Sequence, residues 1–281
     1  MPLLLLPRHN GHRALQTQSR RFSSSSLPSP RPLERGWSHV VSACKRAFER
    51  RATLAQYQEK QLFSPVPLPL RDMWYFLQLQ MPSHAQVDLE EFLRGAQFAG
   101  KTQLLAANSH EFALFAAGEG DMTTASTAAS QLESICVPYT YRGLLEASKT
   151  AYETKKLILE IQEITIDKAF VSGVGYNQFT ESEYADLIEG RDASLLSNQR
   201  SFAEDATIEH LTIEVGAQTT EVHKMTLLGD EEALVEQQNY RRWLFESKVS
   251  NDGELDWRIL AAHGINNRAK EIAPRKSLKE K

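Results

Sequence analysis

The period of the apolar residues changes near residue 157, and this change constrains the fold more than any other feature. Before it, apolar side chains recur every three or four residues, which predicts helices. After it, the run 157–171 is rich in β-branched residues, and period-two alternation predicts further strands at 207–215, 221–228, 241–249 and 255–261. Helices first and strands second predict an α+β domain, with helices on one face of an antiparallel sheet of four or five strands.

The last two strands are predicted to form a hairpin around two tryptophans. Trp243 and Phe245 share one face of the first arm, and Trp257 and Ile259 share one face of the second. The polar, glycine-containing break between the arms is longer than two residues, so the turn type stays open. We interpret these four side chains as core, with a pocket wall as the alternative, because pocket walls are also apolar and aromatic.

The helical half of this domain begins with a well-marked N-terminus. Asp88 is placed as the N-cap of a helix over 88–107, and Glu91 completes a capping box three residues later. Small side chains on this helix predict that another element packs closely against it: Ala96, Ala99 and Gly100. Shorter helices are predicted at 111–117, 123–136 and 139–154.

Two places in the strand half interrupt the alternation. The pattern slips between Ile161 and Ile164, which predicts a β-bulge in a long strand. The glycines in 172–176 predict a turn or a bulge, and no Lys-Ser or Lys-Thr follows them, so this is not a phosphate-binding loop. The acidic stretch 181–192 is interpreted as a short helix or a loop.

The first 33 residues have the composition of a mitochondrial transit peptide. They contain five arginines and the serine run Ser23–Ser26, and the first acidic residue is Glu34. The stretch RRFS predicts processing after Phe22, with a disordered basic tail as the alternative. The run Leu3–Leu6 is far too short to span a membrane and precedes the arginines, which argues against a secretory signal.

A basic amphipathic helix is predicted over 34–61, with a proline-rich connector that continues to residue 86. Its apolar stripe is Trp37, Val40, Val41, Cys44, Ala47 and Phe48, and its cations are Lys45, Arg46, Arg50 and Arg51. Such a helix lies on an anionic membrane or contacts RNA phosphates, and the alternative is a solvated helix packed on its own domain. The apolar segment 73–81 is expected to pack against the following domain.

The charge is divided between an acidic middle and two basic ends. Residues 1–60 hold eleven Lys/Arg against three Asp/Glu, residues 61–267 hold fifteen against thirty-one, and residues 268–281 hold six against two. Phosphates are therefore expected to contact the ends and not the middle. At the C-terminal end the candidate contacts lie in a predicted basic tail over 264–281: Arg268, Lys270, Arg275, Lys276 and Lys279.

The sequence predicts no catalytic, metal or cofactor site. Its eight histidines and two cysteines lack the spacing of metal ligands, and both cysteines are interpreted as reduced thiols. His210 is out of phase with the apolar face of its strand, which makes it a poor pocket base, and the phase of His223 stays open. Two further aromatic residues are candidates for a cavity wall or for the core: Tyr139 and Tyr141.

Two motifs and the order of the elements resemble the Tim-forty-four-like domain family. The first motif is Phe92-Leu93-Arg94-Gly95-Ala96, and the second is Trp243-x-Phe245-Glu246 followed by Trp257-Arg258-Ile259. The resemblance covers roughly residues 87–263. It implies a cone of the nuclear-transport-factor type, with the sheet curved around an apolar pocket, and a location on the matrix side of the mitochondrial inner membrane.

The resemblance also implies a class of function. The family includes an import-motor tether, a mitoribosomal large-subunit protein beside the exit tunnel and a membrane receptor for mitoribosomes. The import tether has a long charged coiled-coil region before this domain, whereas this chain has only the helix at 34–61, which favours the ribosome-linked branch.

We therefore expect a non-enzymatic adaptor without a cofactor or a small-molecule substrate. Its expected partners are the mitochondrial ribosome or its rRNA, anionic inner-membrane lipid, and import or insertion machinery. The alternatives are an import-motor tether and a small-molecule-binding or isomerase-type cone. A titratable group inside the pocket would favour the cone alternative.

Overall fold

The structure, a computed structural model, combines helices with one antiparallel sheet. It describes residues 30–66, 68–119, 126–155, 157–196, 206–227, 231–249 and 253–277. In these ranges the helices are α1 (Pro30–Glu49), α2 (Arg51–Glu59), α3 (Pro69–Leu79), α4 (Leu89–Ala107), α5 (His110–Ala117), α6 (Thr127–Ile135), α7 (Pro138–Lys155) and α8 (Glu181–Ile188). The strands are β1 (Leu157–Phe179), β2 (Ile208–Leu227), β3 (Glu231–Lys248) and β4 (Arg258–Ser277).

The four strands form a meander in the order β1-β2-β3-β4, and each neighbouring pair is antiparallel. Of the helices in the described ranges, seven precede the sheet and α8 lies between β1 and β2. The α+β class and the order of helices before strands are therefore confirmed. The hairpin of β3 and β4 is confirmed as well, since Phe245 is opposite Ile259 in the register.

The strand β2 is continuous, so the prediction of two separate strands at 207–215 and 221–228 is wrong. Gly216, which lies between the two predicted strands, pairs with Phe170 on β1 and with Arg242 on β3. A Cβ at residue 216 would collide with the hydroxyl of Tyr240 and contact the ring of Phe170. The glycine therefore makes room for aromatic side chains on the neighbouring strands and does not end the strand.

The irregularities predicted in the first strand are present. The register between β1 and β2 shifts between Ile161 and Glu163, which confirms the predicted slip in the alternation. Two further shifts follow, between Ile166 and Lys168 and between Val171 and Gly173, and the last of them places a bulge at the glycine-containing segment 172–176. The strand continues to Phe179 without a turn, because the residues on both sides of the bulge keep their partners on β2.

The core lies between α4 and the facing side of the sheet. Asp88 caps α4, since its carboxylate accepts the backbone N–H groups of Glu90 and Glu91. Close packing against α4 is present at Gly100, as expected: a Cβ there would lie 2.9 Å from the indole of Trp243. The hydrogen bonds at the start of α4 do not include the predicted return bond from Glu91, whereas a reciprocal capping box forms on α8, between Thr180 and Glu183.

Two predicted boundaries require correction. The helix expected at 34–61 starts earlier, at Pro30, and is broken at Arg50 into α1 and α2. Proline at the start of a helix is favourable, because its fixed φ suits the first turn and its missing N–H has no helical partner there. The basic tail expected from residue 264 is instead the second part of β4, which extends to Ser277.

Candidate functional sites

The helix α1 turns part of its apolar stripe away from the rest of the protein. Ala43 is fully buried, whereas the side chains of Trp37, Val41 and Phe48 are 65%, 60% and 68% exposed. The exposed residues are spaced by four and seven positions and therefore share one face of the helix. Of the predicted stripe, only Val40 and Ala47 pack half-buried against the core, and Cys44 is exposed like the other three members. Most of the stripe therefore faces outward, and the fully buried Ala43 lies outside it.

The four cations predicted on this helix have two different roles. Arg46 donates to the backbone oxygen of Gln80 through Nε (3.0 Å) and Nη2 (2.7 Å). Arg50 donates to the Gln80 side chain at 2.8 Å. Because Gln80 ends α3, these two arginines satisfy groups at its C-terminus and attach α1 to α3. The structure leaves Lys45 and Arg51 exposed.

The helix α3 adds a second outward apolar face. Leu70, Met73 and Trp74 are exposed, whereas Phe76 and Leu79 are buried in the core. The expected packing of the segment 73–81 therefore holds for Phe76 and Leu79 but not for Met73 and Trp74. The guanidinium of Arg51 lies 4.7 Å from the ring centre of Phe48. The term α1–α3 face denotes the exposed apolar side chains of α1 and α3 with the exposed cations near them: Trp37, Val41, Phe48, Leu70, Met73, Trp74, Lys45 and Arg51.

The basic residues of the C-terminal end lie only partly within the described structure. Lys279 lies outside the described residues, and for Arg268, Lys270, Arg275 and Lys276 only the backbone, within β4, is described. In the register of β4 against β3, Lys270 is opposite Glu236 and Lys276 is opposite Glu232. Positions of opposite charge therefore face each other along this part of the hairpin.

Most of the aromatic pocket candidates are core residues. Trp243, Phe245 and Ile259 are at least 98% buried, and the indole N–H of Trp243 donates to Gln103 at 3.2 Å. Trp257 is only half-buried and does not belong to a strand. Tyr139 is exposed and Tyr141 is half-buried against the core. Neither tyrosine lines the two cavities described here.

A cavity of about 410 Å³ lies between α4, α5 and α7 and one face of the sheet. Most of its walls are apolar and include Leu104, Ala107, Leu144, Ala151, Ile158, Leu159 and Trp243. The guanidinium-bearing side chain of Arg241 lines it from β3. Gly264 on the adjacent strand leaves space for this side chain, because a Cβ there would collide with the guanidinium.

Behind Arg241 lies a buried ionisable cluster that the sequence analysis missed. Glu221, fully buried, accepts from Arg241 Nε at 2.8 Å and Nη2 at 2.5 Å, and from Thr219 at 2.6 Å. His223 Nε2 lies 2.8 Å from the same carboxylate. These side chains share the face of Val215, because β2 pairs with β3 without a register shift.

The environment of Glu221 stabilises its ionised form. Burial alone raises the pKa of this carboxyl, but hydrogen bonds from His223, Arg241 and Thr219 outweigh burial and hold the pKa below its ordinary value. The carboxylate therefore holds the guanidinium of Arg241 in place. Two of the five N–H donors of the guanidinium bond to Glu221, and Arg241 lines the cavity.

His210 lies on the opposite face of the sheet, as its phase predicts, but it is fully buried there. Its Nε2 is 3.1 Å from Glu246, which also accepts from the hydroxyl of Tyr184 on α8 at 3.3 Å. Burial and, next, the charge of Glu246 raise the pKa of the Tyr184 hydroxyl. Because His210 is on the face away from the cavity that Arg241 lines, it is not among the residues of the cavity wall.

No helix in the described part of the chain is long and apolar enough to cross a membrane. Among the same residues, no group of three or more His, Cys, Asp or Glu side chains is arranged to hold a metal ion.

No model of a known protein family and no curated protein matches the chain.

Proposed function

We propose that this protein is a non-enzymatic adaptor of the mitochondrial matrix that attaches peripherally to the inner membrane and links the large ribosomal subunit to it. The transit-peptide composition and the two motifs of the Tim-forty-four-like family support the location. The α+β order supports the cone fold that the resemblance implies. The observation that carries the proposal is the α1–α3 face, on which exposed aromatic and aliphatic side chains are combined with cations.

The composition of the α1–α3 face suits the surface of an anionic bilayer. Tryptophan and phenylalanine insert at the level of the lipid headgroups, and burial of apolar area there contributes about 25 cal/mol per Å². Each exposed cation close to an anionic surface adds about 1 kcal/mol. Lys45 and Arg51 provide this attraction, whereas Arg46 and Arg50 already bind the end of α3.

The native thiol of Cys44 gives a direct test of membrane attachment. Cys44 is exposed on α1 and Cys136 is buried, so an environment-sensitive fluorophore labels Cys44 selectively. With vesicles containing cardiolipin, the emission of this label should shift to shorter wavelength, and the shift should be lost in the triple variant Trp37→Ser, Phe48→Ser, Trp74→Ser. Phe98→Ser is the control, because Phe98 on α4 is 74% exposed outside this face. Equal shifts for the triple variant and the wild type would refute the assignment of the face.

The ribosomal link needs a separate experiment. The protein should co-sediment with mitochondrial large subunits, and the fraction bound should fall as salt is raised, because basic segments that contact rRNA release counterions. The alternative, an import-motor tether, predicts the same membrane attachment without co-sedimentation. A protein found only as a free soluble monomer would contradict both.

A second candidate function is binding of a small molecule in the cavity beside Arg241. The observation in its favour is the buried cluster of Arg241, Glu221 and His223, since an apolar cavity with a few positioned polar groups is the usual form of a ligand site. The guanidinium of Arg241 in an otherwise mostly apolar wall fits a ligand with a carboxylate or carbonyl head and an apolar body.

Octanoate and octanol form a matched pair of probes for this site. Octanoate at millimolar concentration should raise the melting temperature more than octanol does, and Ala107→Leu, which fills the cavity, should remove the difference. No stabilisation of the wild type by either probe would remove this candidate.

A further inference from the structure

A second cavity, of about 430 Å³, forms a groove between the first half of α4 and the segment that precedes β4. Its floor is aromatic: the ring centres of Phe92 and Trp257 are 4.7 Å apart, and those of Phe92 and Phe245 are 5.6 Å apart. Phe92 and Phe245 are buried, but Trp257 is only half-buried, so part of its indole faces the groove. Neither the cavity beside Arg241 nor the α1–α3 face includes these residues.

The wall of this groove is made of small residues that leave space above the helix. Gly95, Ala96 and Ala99 line it from α4, and a Cβ added at Gly95 would meet no atom within 4 Å. Gly100 on the same helix is different, because a Cβ there would lie 2.9 Å from the indole of Trp243. Gly100 is thus small because the sheet packs against it, whereas Gly95 leaves open a position where another backbone can approach closely.

The edge of the groove is acidic. Asp88 and Glu91 line it and are exposed, and both carboxylates lie at the N-terminal end of α4. The segment 61–267, which contains the groove, holds thirty-one Asp/Glu against fifteen Lys/Arg. Such a surface repels phosphates and anionic lipid headgroups and attracts cationic partners. The charge therefore selects against RNA and against the membrane surface as occupants.

We propose that this groove binds a basic amphipathic helix of a partner protein. Apolar side chains on one face of the helix contact Phe92 and Trp257, and its backbone passes close to Gly95. Lysine or arginine residues on the flanks pair with Asp88 and Glu91. This protein-binding site is separate from the α1–α3 face. Binding of the helix does not depend on attachment of the adaptor to the membrane.

The test uses the full chain and two fluorescent peptides of about 18 residues, five helical turns, with the same leucine-and-alanine face. One peptide has lysine and arginine on its polar face and the other has glutamate. Fluorescence anisotropy should show binding of the cationic peptide only. Gly95→Leu, which fills the groove, and Glu91→Lys, which reverses its charge, should each weaken this binding by about tenfold or more, equivalent to at least ~1.4 kcal/mol.

Gly143→Leu is the matched control. Gly143 lies in α7, and a Cβ there also meets no atom within 4 Å, so this variant should bind the cationic peptide like the wild type. Circular dichroism should give a helix content for Gly95→Leu equal to that of the wild type, because leucine favours helices more than glycine does. Vesicle binding by the Cys44 label should be unchanged in Gly95→Leu, which separates the two proposals.

Several results would overturn the assignment. Equal binding of the two peptides would show that charge does not select the occupant, and equal binding of a cationic peptide without an apolar face would show attraction by charge alone. Unchanged affinity in Gly95→Leu would place the peptide elsewhere. Concentration-dependent dimerisation that Gly95→Leu abolishes would identify a second copy of this chain as the occupant, contrary to the proposal.

Discussion

The α-carbon of Gly100 on α4 lies directly against the indole of Trp243 on β3, so that a Cβ at residue 100 would be 2.9 Å from two carbons of the ring system. The indole cannot move aside easily, because it is at least 98% buried and its N–H donates to Gln103. This contact fixes the distance between the helix and the sheet at the centre of the core.

Gly100→Ala should therefore destabilise the protein, by about 1–3 kcal/mol, which is the usual cost of overpacking a core. Gly95→Ala on the same helix should be neutral or stabilising by up to about 1 kcal/mol, because its Cβ meets no atom and alanine favours the helix. Urea unfolding of the two variants compares these values directly. A Gly100→Ala variant as stable as the wild type would show that the helix moves away without cost.

Replacement of Glu221 should show how much the buried cluster contributes to the free energy of unfolding. Glu221→Gln removes the charge that Arg241 and His223 bind and should cost about 3 kcal/mol near pH 7, in the range for breaking a buried ion pair. Glu214→Gln is the control, because its partner Arg242 lies on the other face of the sheet and is half-exposed. That substitution should cost about 1 kcal/mol or less.

The stability difference between the wild type and Glu221→Gln should depend on pH. The pKa of Glu221 is lowered in the folded protein, so its contribution is complete above the ordinary glutamate pKa of about 4.3 and is lost as the pH falls through the folded-state pKa. The difference in unfolding free energy between wild type and Glu221→Gln should therefore narrow as the pH falls from about 5 to about 2. A constant difference across this range would contradict the assigned role.

Much of the fold follows from local sequence patterns. The N-cap at Asp88 and the slip near Ile161 depend on neighbouring residues alone, and both are present. The continuity of β2 could not be predicted in this way, because Gly216 is explained by Tyr240 and Phe170, which lie on the two adjacent strands. A glycine that makes room for a neighbour has the same local signature as a glycine that ends a strand.

The candidate sites were less predictable than the fold. The pattern Thr219-x-Glu221-x-His223 has the alternation of an exposed polar face, whereas all three side chains are buried in the structure. An extension of the alternation from Val215 through the glycine would have placed these residues on the helix-facing side. On α1, the sequence could not show which apolar residues face α3, because that depends on where α3 lies.

The roles of the cations on α1 can be separated by paired substitutions. Arg46→Gln with Arg50→Gln should lower the melting temperature, because the hydrogen bonds to Gln80 at the end of α3 are lost. Lys45→Gln with Arg51→Gln should leave the melting temperature within about 2 °C of the wild type and weaken binding to cardiolipin vesicles. Differential scanning calorimetry and vesicle co-sedimentation measure the two effects.

Equal melting temperatures for both pairs would contradict the anchoring of α1 on α3. Unchanged vesicle binding by the Lys45 and Arg51 pair would instead argue that the apolar residues of the α1–α3 face suffice. In either case the two measurements report on different groups of residues, since the anchoring pair is half-buried and the other pair is exposed.

The two cysteines should differ strongly in reactivity, because only the thiolate reacts with disulfide reagents. Burial raises the pKa of the Cys136 thiol to about 12, and this residue is 2% exposed, whereas Cys44 is exposed on α1. Ellman's reagent at pH 8 should therefore titrate one thiol in the native protein and two in guanidinium chloride. Cardiolipin vesicles should slow the reaction of Cys44, and the Cys44→Ser variant should show no fast phase. Two fast thiols in the native protein would mean that the contact between the end of α6 and Ile259, which covers Cys136, opens readily.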